Sequence, residues 1–450
     1  MYKKLAVWRI AAIASLGGLL FGFNTAILSG AVFFIKKEFH LSITSESTLF
    51  SAILFGAFLG ALASIRLVDI VGRRKLLLAS AAIFIVGSFW SGSASAVVHL
   101  LSSRFLIGIA IGICSLAVPL YITEIAPTNI RGALVGMNQL FVTLGILLAY
   151  LVDYYNTSCG HWRIMLMFGL VPAIVFLLGA TLLPESPRWL LQHGWYNRAR
   201  KALKQLVPDG NFEAEFMILQ SRIKRSGNLR NLLKHWLWPV IIVVFGLSII
   251  QQVSGINIIF YYGPDFLRSI GMHTSKAIML ISVIIGFINV CGSVTSMLLV
   301  DRIGRRKLLI TSLILMAMAN LFVAFSFHYF LSIKIREIFS ITAMIVGVSG
   351  FAIGLGPLVW LMMCELFPTI IRGLAVSLAA ATNWLANMLV IFSFLPMAHF
   401  IGNFYCFLIY GLLSLAGIFF VYKLVPETAK ISLEKIESRL RTTITHHLEY

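Results

Sequence analysis

Apolar residues run through this chain in long unbroken blocks, not in the alternating or one-faced stripes of a water-soluble fold. Ala11–Leu28 and Phe404–Val421 each pass 18 residues without a charge. A helix needs roughly 20 apolar residues to cross about 30 Å of hydrocarbon. Marking off every such block predicts twelve spans, near 8–29, 48–67, 76–95, 98–120, 132–152, 164–183, 237–262, 277–299, 308–327, 337–362, 373–395 and 403–424. The first block is long, no clear cleavage site follows it, and eleven more come after, so it reads as a span and not as a secretory leader. The expected fold class is an all-α polytopic membrane protein.

Composition agrees. Mean hydropathy is +0.92, and only 12% of residues are charged, about half the usual share for a soluble protein. The formal net charge of +19 could point to nucleic acid, but its distribution argues otherwise. Of the 36 Lys and Arg, 28 fall on the side that holds the N-terminus, the loops after even-numbered spans and the C-terminus. Seven fall on the opposite side, and Arg104 lies inside the fourth span. Basic residues favour the cytoplasmic side, so both termini are expected there, and the partner of the charge is the lipid bilayer with no nucleic acid involved. The five cysteines form no disulfide framework, no Cys/His spacing fits a metal, and no phosphate-cradling glycine loop is present. No cofactor, no ATP-driven pumping and no enzymatic chemistry are expected.

The chain is written twice. EIAPTNIRG at 124–132 returns as ELFPTIIRG at 365–373, DIVGRRKLL at 69–77 as DRIGRRKLL at 301–309, and PESP at 184–187 is echoed by PET at 426–428. Each motif follows the second, fourth or sixth span of its half. The organisation expected is a six-helix bundle over 1–183, a cytoplasmic linker of short amphipathic helices over 184–236, a second bundle over 237–428 and a cytoplasmic tail over 429–450. Six-span repeats related along the membrane normal are the plan in which two bundles rock about a central site. In this plan Asp69, Arg73, Arg74, Glu124, Arg131, Glu185 and Arg188 gather at the cytoplasmic face of the first half. Asp301, Arg305, Arg306, Glu365, Arg372 and Glu427 do so in the second half. The functional reading is a gate whose ion pairs hold the bundles together and part as that side opens. The bland alternative is positive-inside anchoring with incidental pairs, each worth about 0–1 kcal/mol when exposed.

Polar side chains inside spans are costly and usually face a bundle interior or a watery cavity. The seventh span carries Gln251, Gln252 and Asn257, with Tyr261 and Tyr262 beyond and Gly255 loosening the helix between them. A primary amide donates and accepts hydrogen bonds, as a sugar hydroxyl does, so neutral amides suit a polyol better than an ion. Gln139, Asn289, Trp360, Asn383 and Trp384 could complete such a chamber. Interhelical hydrogen bonding is the structural alternative for each amide.

At these residues the chain resembles the sugar porter family of the major facilitator superfamily, from end to end. GFNTAILSG (22–30), SRFLIG (103–108), PESPRWL (184–190), QQVSGINIIFYY (251–262), GLGPLVW (354–360), NWLAN (383–387) and PET carry the resemblance together with the paired motifs. PESPRWL with QQxSGIN and the final PET is far more specific than DxxGRR. The resemblance implies two six-helix bundles and transport of a monosaccharide, hexose or pentose and glucose-like, by alternating access. It places Gln139, Gln251, Gln252, Asn257, Asn289, Trp360 and Asn383 on the hexose site, with Ile146, Phe351 and Trp384 as its wall. One departure is Ala352, where animal glucose facilitators have a glutamate.

Coupling is the open question. The bacterial proton–sugar symporters that this chain resembles carry an aspartate in the first span, whereas the matching residue here is Asn24, which cannot titrate. All 17 Asp and Glu fall in loops or near span ends, with Asp153, Asp265 and Glu337 toward the outside. Arg104 is expected to meet Asn24 as a fixed charge, or to snorkel outward. Uniport is therefore expected. A proton symporter using another acid and, less favoured, a sugar-sensing receptor stay open as alternatives. The location implied is a bacterial inner membrane, and one chain is expected to be the working unit.

Overall fold

The computed structural model describes residues 4–127, 130–207, 212–221, 235–329, 332–367 and 371–428. The expected tail and part of the linker lie outside these residues. Among the described residues twelve stretches are helical, long and apolar enough to cross a membrane. Most outrun the apolar blocks: the first extends over Leu5–Phe39 and the second over Ile43–Val71. Hydropathy marks the hydrocarbon, while the helical hydrogen-bond ladder continues into the interface.

The first half comprises α1 (Lys4–Phe39), α2 (Ile43–Val71), α3 (Arg73–Gly92), α4 (Val97–Ile125) and α5 (Arg131–Asn156). Its sixth span is a broken pair, α6 (Trp162–Met167) and α7 (Leu170–Thr181). Among the described residues three short helices follow: α8 (Pro187–Gln192), α9 (Tyr196–Leu206) and α10 (Phe212–Ser221). Ser186 caps α8 by accepting from the Trp189 amide at 3.2 Å, with Pro187 in the first turn, where no amide is needed. In α9 the buried Ala199, Ala202, Leu203 and Leu206 share one face, and Arg200 and Lys204 lie over Phe216 and Phe212 of α10.

The second half repeats the plan. Its seventh span is α11 (Trp238–Val253) and α12 (Ile256–Ser269), followed by α13 (Ser275–Ile303) and α14 (Arg305–Tyr329). The tenth span is α15 (Ile333–Ile353) and α16 (Leu355–Leu366), and α17 (Arg372–Phe400) and α18 (Gly402–Leu424) complete it. The break between α11 and α12 sits at Gly255, whose φ of 82° lies in the left-handed region that a residue without a Cβ adopts readily.

Within the first half, α2 and α4 touch backbone to backbone. Gly56 and Gly60 face Phe105 and Ile109, and Gly108 and Gly112 face Ile53 and Ala57, close enough that an added Cβ would strike main chain. Small residues four apart on both partners permit this approach in lipid. Between the halves, α2 lies along α17 and α5 along α13. The second and fifth spans of the first repeat correspond to the eighth and eleventh, so the repeat exchanges these two contacts. The buried interior is continuous across both halves.

Candidate functional site

Where the halves meet, a cavity of about 60 Å³ lies in the middle of the bundle. At roughly 10–15 Å³ per water, this has room for about four to six waters in the present conformation. Gln139 and Ile146 reach it from α5; Gln251 and Gln252 from the end of α11; and Asn257 and Tyr261 from α12. Asn289 on α13, Phe351 on α15, Trp360 on α16, and Asn383 and Trp384 on α17 close the ring. All eleven positions read from the sequence therefore line one cavity.

The break at Gly255 is what brings the amides together. It ends α11 just after Gln251 and Gln252 and restarts the chain just before Asn257. Gln251 Nε2 donates to the Leu355 carbonyl at 2.7 Å, at the similar break of the tenth span. Asn383 Nδ2 donates to Gln251 Oε1 at 2.8 Å and to the Ser248 carbonyl at 2.9 Å. Gln252 Nε2 donates to Asn383 Oδ1 at 3.0 Å, and Asn257 Nδ2 donates to Gln252 Oε1 at 2.5 Å. These amides thus hold helices together and line a cavity at once, so the two readings of them are not exclusive. The wall is aromatic: Trp384 packs edge-on to Phe21 at 5.1 Å and donates its indole N–H across the halves to Ser115 at 3.3 Å.

Seven further residues line the cavity: Phe21, Thr25, Val142, Thr143, Phe260, Gly356 and Asn387. The helical period could have found several, since Phe21–Thr25, Gln139–Thr143 and Asn383–Asn387 are each four apart. Asn387 is buried, and its side-chain Oδ1 has no hydrogen-bond partner among the described residues. Ala352 is buried against Gly292 of α13, where an added Cβ would come within 2.6 Å of the alanine's own.

Arg104 is fully buried and turned inward. It donates to the Asn24 carbonyl at 2.5 Å and to Asn24 Oδ1 at 3.4 Å. Asn24 in turn donates to the Leu20 carbonyl at 3.0 Å. The outward snorkel left open from the sequence does not occur.

The sequence places every acid in a loop or near a span end, but for two of them nearness to a span end is not nearness to water. Asp153, in the last turn of α5, is fully buried, and among the described residues neither carboxylate oxygen accepts a well-formed hydrogen bond. Glu46, in the first turn of α2, is also buried and pairs with Lys36 at 2.7 Å. Asp265 has one oxygen buried without a partner. At this end the spans of the two halves pack together, as where Phe50 of α2 meets Tyr262 of α12 at 4.6 Å, so depth in the membrane does not decide exposure.

At the opposite end the charged motifs assemble, but within each half. Arg73 pairs with Glu124 at 2.8 Å and with Asp69 at 3.4 Å. Arg305 pairs with Glu365 at 3.2 Å. Glu185 accepts from the Arg74 amide at 3.1 Å, and Glu427 accepts from the Arg305 and Arg306 amides at 2.9 and 3.1 Å. Each of these two acids thus sits on the N-terminus of the helix that follows DxxG, where exposed amides favour a negative charge. Arg74 and Arg306 bind the Thr181 and Tyr422 carbonyls. Arg188, half-buried on α8, makes no ion pair among the described residues. The side chains of Arg131, Asp301 and Arg372 lie outside the described residues. The bonds that the described members of these motifs make with one another tie helices of one half, and are not the bridge between halves that a gate across the interface would use.

The geometry is that of a polar chamber between two repeated bundles, and comparison with known proteins agrees. The family described as "Sugar (and other) transporter" matches residues 10–440. The D-xylose transporter of Levilactobacillus brevis is 36% identical over 443 residues, covering 98% of this chain and 97% of that one. The galactose-proton symporter of Escherichia coli K12 is likewise 36% identical over 443 residues, covering 97% and 95%. A solved structure of the proton:xylose symporter XylE, bound to 6-bromo-6-deoxy-D-glucose, superposes with a TM-score of 0.83 at 29% identity over 98% of this chain and all of that one. With its twelve spans, paired motifs and amide-lined centre, this integral membrane protein belongs to the sugar porter family of the major facilitator superfamily.

Proposed function

We propose that this chain carries a monosaccharide across a bacterial cytoplasmic membrane by alternating access, with both termini cytoplasmic and the sugar held in the central cavity. The observation that carries this reading is the cluster of neutral amides and aromatic rings at the junction of the two repeats. Amides satisfy hydroxyls in both directions, and Trp360, Trp384 and Phe351 offer faces for the C–H surface of a pyranose. The charged motifs hold each bundle rigid while the bundles rock. One chain encloses the whole cavity, so the monomer is the working unit.

The transport is proton-coupled. The expectation of uniport rested on Asn24 and on the absence of buried acid, and the second premise fails at Asp153. Relatives described as galactose-proton and arabinose-proton symporters support coupling. The test is uptake of labelled glucose, xylose, galactose and fructose into proteoliposomes, with and without an acid-outside gradient. Uphill accumulation of one of them, abolished by an uncoupler, is the expected result. Equilibration alone under every gradient would return the reading to uniport, and no uptake of any would remove monosaccharides as substrate.

A further inference from the structure

The cavity face of α5 does not end at the cavity. Gln139, Thr143 and Ile146 line it, and the same stripe continues through Tyr150 to Asp153 at spacings of three and four. Tyr150 is buried and donates its hydroxyl across the halves to the Phe260 carbonyl at 3.2 Å. Asp153 lies one turn beyond this tie, roughly 10 Å along the helix from Ile146 at 1.5 Å per residue. Its carboxylate is packed against Gly30 of α1, where even a methyl group would collide with it.

Among the described residues no cation offsets a negative charge there, and only the Gly30 backbone lies near enough to ease it. Each described cation at this end of the neighbouring elements is engaged elsewhere or is turned to solvent. Lys36 of α1 pairs with Glu46, and Arg163 of α6 with Glu38. Arg104 of α4 binds Asn24, Lys276 of α13 lies over Tyr154, and Arg268 of α12 lies over Phe33 at 3.6 Å. Lys37, His40 and His99 are exposed. The acids facing this end, Glu46 and Asp265, add only like charge, while Glu124 and Glu365 sit at the far end of their spans. A buried ionisable side chain without an ionic partner is costly, and within a membrane bundle such a group marks a function.

Given the proton-coupled reading above, on which this inference rests, we propose that Asp153 is the group on which the transporter takes up its external proton. When the halves part on the outside, the Tyr150–Phe260 bond breaks and water reaches the carboxylate. A proton from that water forms an O–H bond on one carboxylate oxygen. The neutral carboxyl then packs back against Gly30 without a counter-ion, and the outer side closes. When the cytoplasmic side opens, water that enters between the halves past Tyr150 takes the proton, the O–H bond breaks, and the carboxylate is left behind for the next cycle.

The test compares wild type, Asp153→Asn and Asp153→Glu in proteoliposomes, reading gradient-driven accumulation and gradient-free sugar exchange. An acid-outside gradient of one pH unit drives up to about tenfold accumulation at one proton per sugar. Asp153→Asn is expected to exchange sugar yet only equilibrate it, and Asp153→Glu to recover part of the accumulation. Accumulation by Asp153→Asn equal to that of wild type overturns the assignment and leaves symport standing. A wild type that never accumulates overturns symport, and the assignment with it. Should Asp153→Asn fail to fold, wild type is treated with a hydrophobic carbodiimide, which reacts with protonated carboxyls. Modification mapped to Asp153 and strongest at acid pH supports the assignment; an unmodified Asp153 at every pH overturns it.

Discussion

Gln252 shows how a single side chain carries two tasks. Its amide group donates to Asn383 and accepts from Asn257 while lining the cavity. Gln252→Ala leaves both partners short of a bond, at about 1–3 kcal/mol. Sugar KM in proteoliposomes should rise roughly tenfold or more on this scale, with Gln252→Asn intermediate. Asn24→Asp tests the other polar centre. It sets a carboxylate against the Arg104 guanidinium, so the pH profile of exchange should gain a second inflection. An unchanged profile would mean that Arg104 takes no part in coupling. Ala352 belongs to the same scale: the position that carries a glutamate in animal facilitators is here a packing contact with Gly292.

Helices and turns explain why the motifs recur. Glu185 and Glu427 cap equivalent helix starts, and Gly72 and Gly304 share a φ of 98° beside them. Glu185→Ala and Glu427→Ala should each cost about 1–2 kcal/mol, read as lower melting temperatures of the detergent-solubilised protein. Gly72→Ala should also destabilise, since its Cβ would meet Glu185 at 2.6 Å in a conformation that suits glycine. Gly132→Ala, with nothing within 4 Å, should be tolerated. The repeat is not perfect in energy: the Arg73–Glu124 pair is more deeply buried than Arg305–Glu365. Glu124→Gln leaves the buried Arg73 guanidinium with only the more distant and half-exposed Asp69 carboxylate, and should lose about 1.5–3 kcal/mol, more than Glu365→Gln.

For the whole molecule, alternating access as proposed above needs the two halves to part at the end where Phe50 meets Tyr262. Cysteines at these two positions, in a protein freed of its five native cysteines, should allow a short crosslink. Uptake should then fall to background and return on cleavage of the link. Undiminished uptake through the linked protein would exclude rocking at this end.

Much of this was legible in the linear chain. Runs of apolar residues set the number of spans because a bilayer demands a fixed length of helix. Repeated DxxGRR and ExxPTxxRG words disclosed two bundles, and amides at membrane depth had to face inward, which singled out the residues around the cavity. Three matters waited for the tertiary structure: that Asp153 and Glu46 are shut away from water, that Arg104 turns inward to Asn24, and that the Arg73–Glu124 and Arg305–Glu365 pairs each tie helices of one half. The reason is common to all three. Sequence spacing fixes how deep a side chain sits and which neighbours share its face, but only the rotation and closure of the packed bundles decide what that face meets.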